Sequence, residues 1–172
     1  EIYTLSLHDA LPISIYCAFI HCNNLDISSL PNSITSIGGA AFEECTNLKL
    51  TRLPDSVTSI GRRAFYRCFN LRLTSLPSNL SVINDFTFYC CQNLAITHIP
   101  SSVTSIKQDA FYNCSSLTTL TFDGKPNGIG YIFSYCDNLT VINVPWAEGE
   151  LSGAPWGAPN ATIVYNYTDG GG

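Results

Sequence analysis

Eight cysteines and three histidines are the side chains here best suited to metal, redox or nucleophilic chemistry, so their spacing is the first question. Six of the cysteines, Cys22, Cys45, Cys68, Cys91, Cys114 and Cys136, recur at intervals of 22 or 23 residues. Ligands at such intervals form a line and do not converge on a tetrahedral metal. If each interval is one coil, stacked about 4.8 Å from the next, the thiols form a ladder inside the protein and act as small buried hydrophobes. That spacing lies within the Cα range of disulfides, but side chains running parallel disfavour the bridge. Cys17 and Cys90 fall outside the column, and Cys17, His21 and Cys22 together give only a weak hint of a metal site. His21 and His98 stand in different columns with no evident Ser or Asp partner. Glu43 and Glu44 read as a solvated face, and Gly38–Gly39 belongs to a repeated turn, not a phosphate cradle. No catalytic residues, metal or cofactor are expected.

The same period governs the residues that must position these groups. Phe42, Phe65, Phe88 and Phe111 share it with Leu48, Leu71, Leu94 and Leu117, and it extends to Phe19, Leu25, Phe133 and Leu139. One unit reads Leu-Pro-x-Ser-Val-Thr-Ser-Ile-Gly from Leu53, then Ala-Phe-x-x-Cys-x-Asn-Leu from Ala64. Leu71 and Leu73 alternate along one strand that reaches Leu76, where Pro77 ends it, and Val57 and Ile60 flank a second. The stretch from Arg62 to Arg67 is too short for a stable helix and predicts a turn or 3₁₀ piece that plants Ala64 and Phe65 in the core. No unit can bury its apolar face alone, so units must stack. The expectation is a repeat solenoid of about six coils of roughly 23 residues over 15–144, with short parallel strands, turn or 3₁₀ connections and little regular helix. Asn84–Thr87 replaces the Gly-x-x-Ala of other units and predicts a distorted turn, and Asp123–Gly128 interrupts the Leu-Pro block.

Apolar residues are 45% of the chain and charged ones 12%, enough for a core. A net charge of -5 argues against a nucleic-acid partner, and no apolar run approaches the 18 to 20 or so residues of a membrane span. No signal peptide is recognisable, and a chain without Met reads as a fragment. The stretch from Glu1 to Ile13 resembles one reading frame of a sequencing adapter, so residues 1–14 are set aside as an artefact on a metagenomic fragment. Residues 145–172 form a Pro/Gly/Trp-rich cap and linker, with Trp146 and Trp156 as a lid over the open core and one last strand at Ile163, Tyr165 and Tyr167.

The blocks at 53–61 and 64–71 resemble the BspA-type bacterial leucine-rich repeats, and the likeness covers residues 15 to about 144. It implies a leucine-rich-repeat solenoid for adhesion or protein binding, placed outside the cell, on a cell surface or on a virion. The Pro-Trp blocks after Val144 are similar to segments of gut-bacterial and phage proteins, so a phage tail-fibre or receptor-binding segment is an alternative, and a structural spacer is another. In a solenoid, ligands meet surface positions that vary while the core columns stay fixed. On the leucine strand these include Lys49, Arg52, Arg72, Ser75 and His98, a modestly basic, hydroxyl-rich strip with Thr51, Thr74, Ala95 and Thr97 between them. The expected partner is a protein or glycan on a cell surface. A second candidate is Tyr66, Tyr89 and Tyr112, with Tyr135 nearby, which would hold a sugar or protein loop or else pack half-buried at the turns. Sequons at Asn79, Asn113, Asn138, Asn160 and Asn166 matter only in a eukaryotic secretory host.

Overall fold

A computed structural model describes residues 13–169. Each coil begins where an isoleucine or valine points inward from a very short strand. Nine such strands occur among the described residues: β1 (Ile13–Ile15), β2 (Ile34–Ile37), β3 (Ser59–Ile60), β4 (Val82–Ile83), β5 (His98–Ile99), β6 (Ser105–Ile106), β7 (Thr119–Phe122), β8 (Val141–Asn143) and β9 (Thr162–Val164). They build two parallel sheets, ordered β1-β2-β3-β4-β6 and β5-β7-β8-β9. Register is fixed by one apolar residue per coil. Ile37 faces Ile60, Ile60 faces Ile83 and Ile83 faces Ile106, while Leu120 faces Ile142 and Ile142 faces Ile163. A slip of one residue would turn each of these side chains to solvent. Earlier leucine strands keep the inter-coil bonds without forming full strands: Arg72 N–H donates to Leu50 O at 3.1 Å and Ala95 N–H to Leu73 O at 2.9 Å.

The rest of each coil is a turn, and no helix forms among the described residues. The 3₁₀ alternative is corrected by the backbone: two left-handed residues bracket the phenylalanine of a typical coil. Ala40, Arg63, Phe86 and Asp109 lie two before it, with φ of 51° to 58°, and Glu44, Arg67, Cys90 and Asn113 lie two after, with φ of 53° to 59°. A left-handed residue costs a non-glycine about 1 kcal/mol or more and breaks the right-handed run that a 3₁₀ turn needs. Inter-coil hydrogen bonds hold the strained turn, as where Phe42 N–H donates to Ala64 O at 2.8 Å and Phe88 N–H to Ala110 O at 2.8 Å. The phenylalanines then stack face to face along the axis, from Phe19 through Phe42, Phe65, Phe88 and Phe111 to Phe133, with centroids 5.3 to 5.6 Å apart. A parallel polar ladder runs outside them. Asn70 Nδ2 donates to Thr46 O and Asn93 Nδ2 to Phe69 O, and the sequon residues Asn138 and Asn160 do the same to Ser115 O and Asp137 O.

Several boundaries move. The solenoid has about seven coils, not six, because the expected lid is itself a coil. Trp156 follows Phe133 by the repeat interval of 23, and its carbonyl accepts from Ile132 N–H at 3.0 Å and Phe133 N–H at 3.1 Å. Trp146 and Trp156 are buried against Phe122, with centroids 5.6 to 6.2 Å apart, and β9 pairs in parallel with β8. Gly157 is needed beside Trp156: its φ is +88°, and a Cβ there would lie 2.9 Å from Ser134 Oγ. At the other end Ile13 and Ser14 belong to β1 and pair with β2, so the repeat starts before Ile15, while the remainder of the set-aside stretch lies outside the described residues. The expected distortion at Asn84–Thr87 is absent. Thr87 is buried in the alanine position with its hydroxyl donating to Asn84 O at 2.8 Å, and Asn84 Nδ2 donates to Ile60 O at 2.8 Å. Polar side chains replace the missing glycine and alanine by bonding the backbone they displace.

Candidate functional site

The thiols line the interior. Cys45, Cys68, Cys91, Cys114 and Cys136 are buried, whereas Cys22, in the first of the described coils, is exposed, a correction to the six-member buried ladder. Each buried Sγ–H donates to the phenylalanine carbonyl of the coil before it: Cys45 to Phe19, Cys68 to Phe42, Cys91 to Phe65, Cys114 to Phe88 and Cys136 to Phe111, at 2.8 to 3.1 Å. Cysteine suits this column because it fills a small apolar space and still satisfies a buried carbonyl. Burial pushes the Cys45 and Cys136 thiols up to about 12 and those of Cys68, Cys91 and Cys114 well above the ordinary thiol range. They stay protonated at neutral pH and are poor nucleophiles. Cys17 is half-buried with Sγ–H directed at Gly39 O, and His21 pairs with Glu44 at 3.1 Å.

Lys49, Arg52, Arg72, Ser75 and His98 are all exposed on the leucine-strand side. The stacking places Lys49 and Arg72 in one column and Arg52, Ser75 and His98 in another. Arg52 approaches Asp55 at 3.9 Å, and with Pro54 it borders a shallow cleft whose other wall is Ser29 to Asn32. His98 Nδ1 lies 2.8 Å from Asp123 Oδ1, so the partner that the sequence did not reveal comes from the next coil. Asp123 stands where neighbouring coils carry Pro54, Pro77, Pro100 and Pro145, which is the signal that was available. Together with Asp169 these two side chains bring three ligand-type atoms within 4.8 Å of one another, all on exposed residues.

The tyrosine column stacks like the phenylalanines but nearer the surface. Tyr66 and Tyr89 are 4.9 Å apart at 16°, Tyr89 and Tyr112 4.4 Å apart at 6°, and Tyr112 and Tyr135 4.9 Å apart at 51°. Tyr66, Tyr89 and Tyr112 are half-buried and largely cover one another's faces, leaving mainly edges and hydroxyls to solvent. Partial burial, and then the neighbouring Tyr89 hydroxyl, pushes the Tyr112 hydroxyl up to about 12. Arg63 and Arg67 sit 4.3 and 5.3 Å from the Tyr66 ring centre and pair with Glu43 at 2.7 Å and Glu44 at 3.3 Å. These turns are therefore engaged internally by stacking and ion pairs.

Residues 13–140 match, in six copies, the family described as BspA type Leucine rich repeat region. A leucine-rich-repeat protein of T. pallidum is similar in structure, with 30% identity, a TM-score of 0.56, and coverage of 82% of this chain and 66% of that one. A leucine-rich cell surface protein of Faecalibacterium prausnitzii A2-165 shows 24% identity, a TM-score of 0.57, and coverage of 75% and 44%. A leucine-rich repeat protein of Bacteroides ovatus ATCC 8483 shows 26% identity, a TM-score of 0.47, and coverage of 67% and 39%. The chain thus spans between 39% and 66% of the length of these structures. No curated protein matches it. A repeat match over most of the chain, on a stack whose columns coincide with that repeat, places this chain in the BspA-type leucine-rich-repeat family.

Proposed function

We propose that this chain is a non-catalytic binding module that acts outside the cell, presenting its exposed repeat positions to a protein or glycan on a cell surface. The observation that carries this reading is the strip of Lys49, Arg52, Arg72, Ser75 and His98, exposed on a backbone whose register is locked from within. Lys49 and Arg72, long cationic side chains one coil apart on a rigid backbone, together with Arg52 suit a partner bearing repeated carboxylate or sulfate groups, since pre-organisation reduces the ordering cost of binding. The cell-surface description of the Faecalibacterium protein supports the extracellular placement.

The test is binding of the intact chain to arrays of surface proteins and acidic glycans, compared with an Arg52→Ser, Arg72→Ser, His98→Ser variant. The reading expects roughly a tenfold or greater loss of affinity for any acidic ligand found, steeper at low salt. Equal binding by the variant would leave the strip a solvated face, and binding to nothing on the arrays would leave the chain a spacer.

A further inference from the structure

A different surface carries an inference of its own. Tyr131 and Tyr135 bracket the sixth turn and are 76% and 62% exposed, unlike the closed stack that precedes them. Tyr135 is tilted by 51° from Tyr112 and does not lie flat on it. The next coil offers Ala154, Gly157 and Ala158 at the places one repeat beyond Tyr131, Ser134 and Tyr135, so no large side chain stands there to cover the rings. Gly157 is held as glycine by its φ of +88°, and a Cβ would come within 3.4 Å of Tyr131 Cδ1 as well as 2.9 Å of Ser134 Oγ. The turn is therefore a step: two exposed tyrosines, one on each side of Phe133 and Ser134 in the chain, with small residues beyond.

The polar surroundings narrow the ligand. From Pro126 to Gly172 the chain has no Lys or Arg, whereas Asp137 is exposed two residues after Tyr135. Anionic ligands are disfavoured here, in contrast to the cationic strip. Asn113 lies beside the turn, its N–H donating to Ser134 O at 2.8 Å. Exposed aromatic rings with a carboxylate and a hydroxyl close by in the chain match a group that is apolar on one face and rich in hydroxyls at its edge.

We propose that Tyr131 and Tyr135 form a platform for a neutral pyranose, with one C–H face of the sugar on the rings and its hydroxyls bonded to Asp137 and Ser134. The inference rests on the glycan branch of the binding-module reading and names a site and ligand class for it. Saturation-transfer NMR and calorimetry of the intact chain with cellotriose, maltotriose, mannotriose and chitotriose test it, with a sulfated oligosaccharide as the ligand for the strip.

At least one neutral trisaccharide should bind, with saturation concentrated on the C–H protons of one ring face. A Tyr131→Ala, Tyr135→Ala variant should lose roughly tenfold or more in affinity, while the Tyr131→Phe, Tyr135→Phe variant stays within about threefold. Substituting Arg52 and Arg72 should leave neutral-sugar binding unchanged. Absence of binding by all four neutral sugars, or equal binding by the double alanine variant with its thermal transition intact, overturns the platform. So does a protein partner that needs both rings while no sugar binds. Sulfated-ligand binding that depends on Arg52 and Arg72 would persist in those cases, so the strip and the platform fail separately.

Discussion

The middle coils and the last coil solve one packing problem with different residues. Around Phe65 and Phe88 each coil supplies a phenylalanine for the ring stack and a thiol for the neighbouring carbonyl. The last coil supplies Trp156 at the same interval, with φ at 51°, but its ring packs on Phe122 and Trp146, and Pro159 takes the next place in the cysteine column. Both place an aromatic ring at the repeat interval, while the buried thiols lie in coils that have a described coil on each side. Coil stacking is thus set by column occupancy more than by residue identity, and the thiol adds a second hydrogen bond to a phenylalanine carbonyl that already accepts the cysteine N–H of its own coil.

The sharpest way to break this comparison is to remove a ring. Phe88→Ala, deep in the stack with rings on both sides, should cost about 3 to 5 kcal/mol in urea unfolding. Trp156→Ala should instead loosen the last coil, lowering the protection of Ile132 and Phe133 amides while the middle coils unfold at nearly the same denaturant concentration. Equal and global losses for both would mean that the stack unfolds only as one unit.

Next in size is the thiol. Cys91→Ala removes both a sulfur and a hydrogen bond and should cost about 1 to 3 kcal/mol by the same measurement. A pH series sharpens the point. Folding raises the Cys45 and Cys136 pKa values from 9.0 to about 12. The stability tied to their protonated thiols is therefore complete below about pH 9 and is lost as pH rises from there toward 12. Urea midpoints should be level through neutral pH and fall above 9, and the fall should shrink in a variant with both cysteines replaced by alanine. A thiol-reactive dye at pH 8 should label Cys22 rapidly and the five buried thiols only on unfolding.

The smallest effect concerns the left-handed turns. Ala40→Gly relieves an alanine at φ 53° but adds freedom to the unfolded chain, so its melting temperature should shift by only a few degrees. Ala40→Val should be lower by about 1 to 2 kcal/mol in stability, because a β-branched side chain fits that region poorly.

The columns that repeat by identity were legible in the sequence: phenylalanine, cysteine and leucine recur visibly, and they define the core. What escaped are features that repeat by position alone. Ala40, Arg63, Phe86 and Asp109 share a left-handed backbone but no chemistry, and without glycine nothing marks them. Trp156 keeps the interval from Phe133, yet the surrounding Pro and Gly read as a break. The candidate site was legible as a set of exposed positions, because strand alternation assigns faces. Its pairings were not, because His98 meets Asp123 only through stacking, across 25 residues of chain. Tyr131 and Tyr135 stand out only once the neighbours one coil away are known to be small.

An uninterrupted stack of coils runs through the seventh and holds both surfaces rigid. Residue-resolved amide hydrogen exchange tests it most directly at Ile132, Phe133, Val144 and Thr162, whose N–H groups donate to Trp156, Trp156, Val164 and Thr140. Protection of these four comparable to that of Phe88, whose N–H donates to Ala110 O, is the predicted result. Exchange at the rate of an unstructured peptide would contradict it, and would return the segment after Val144 to a loose tail.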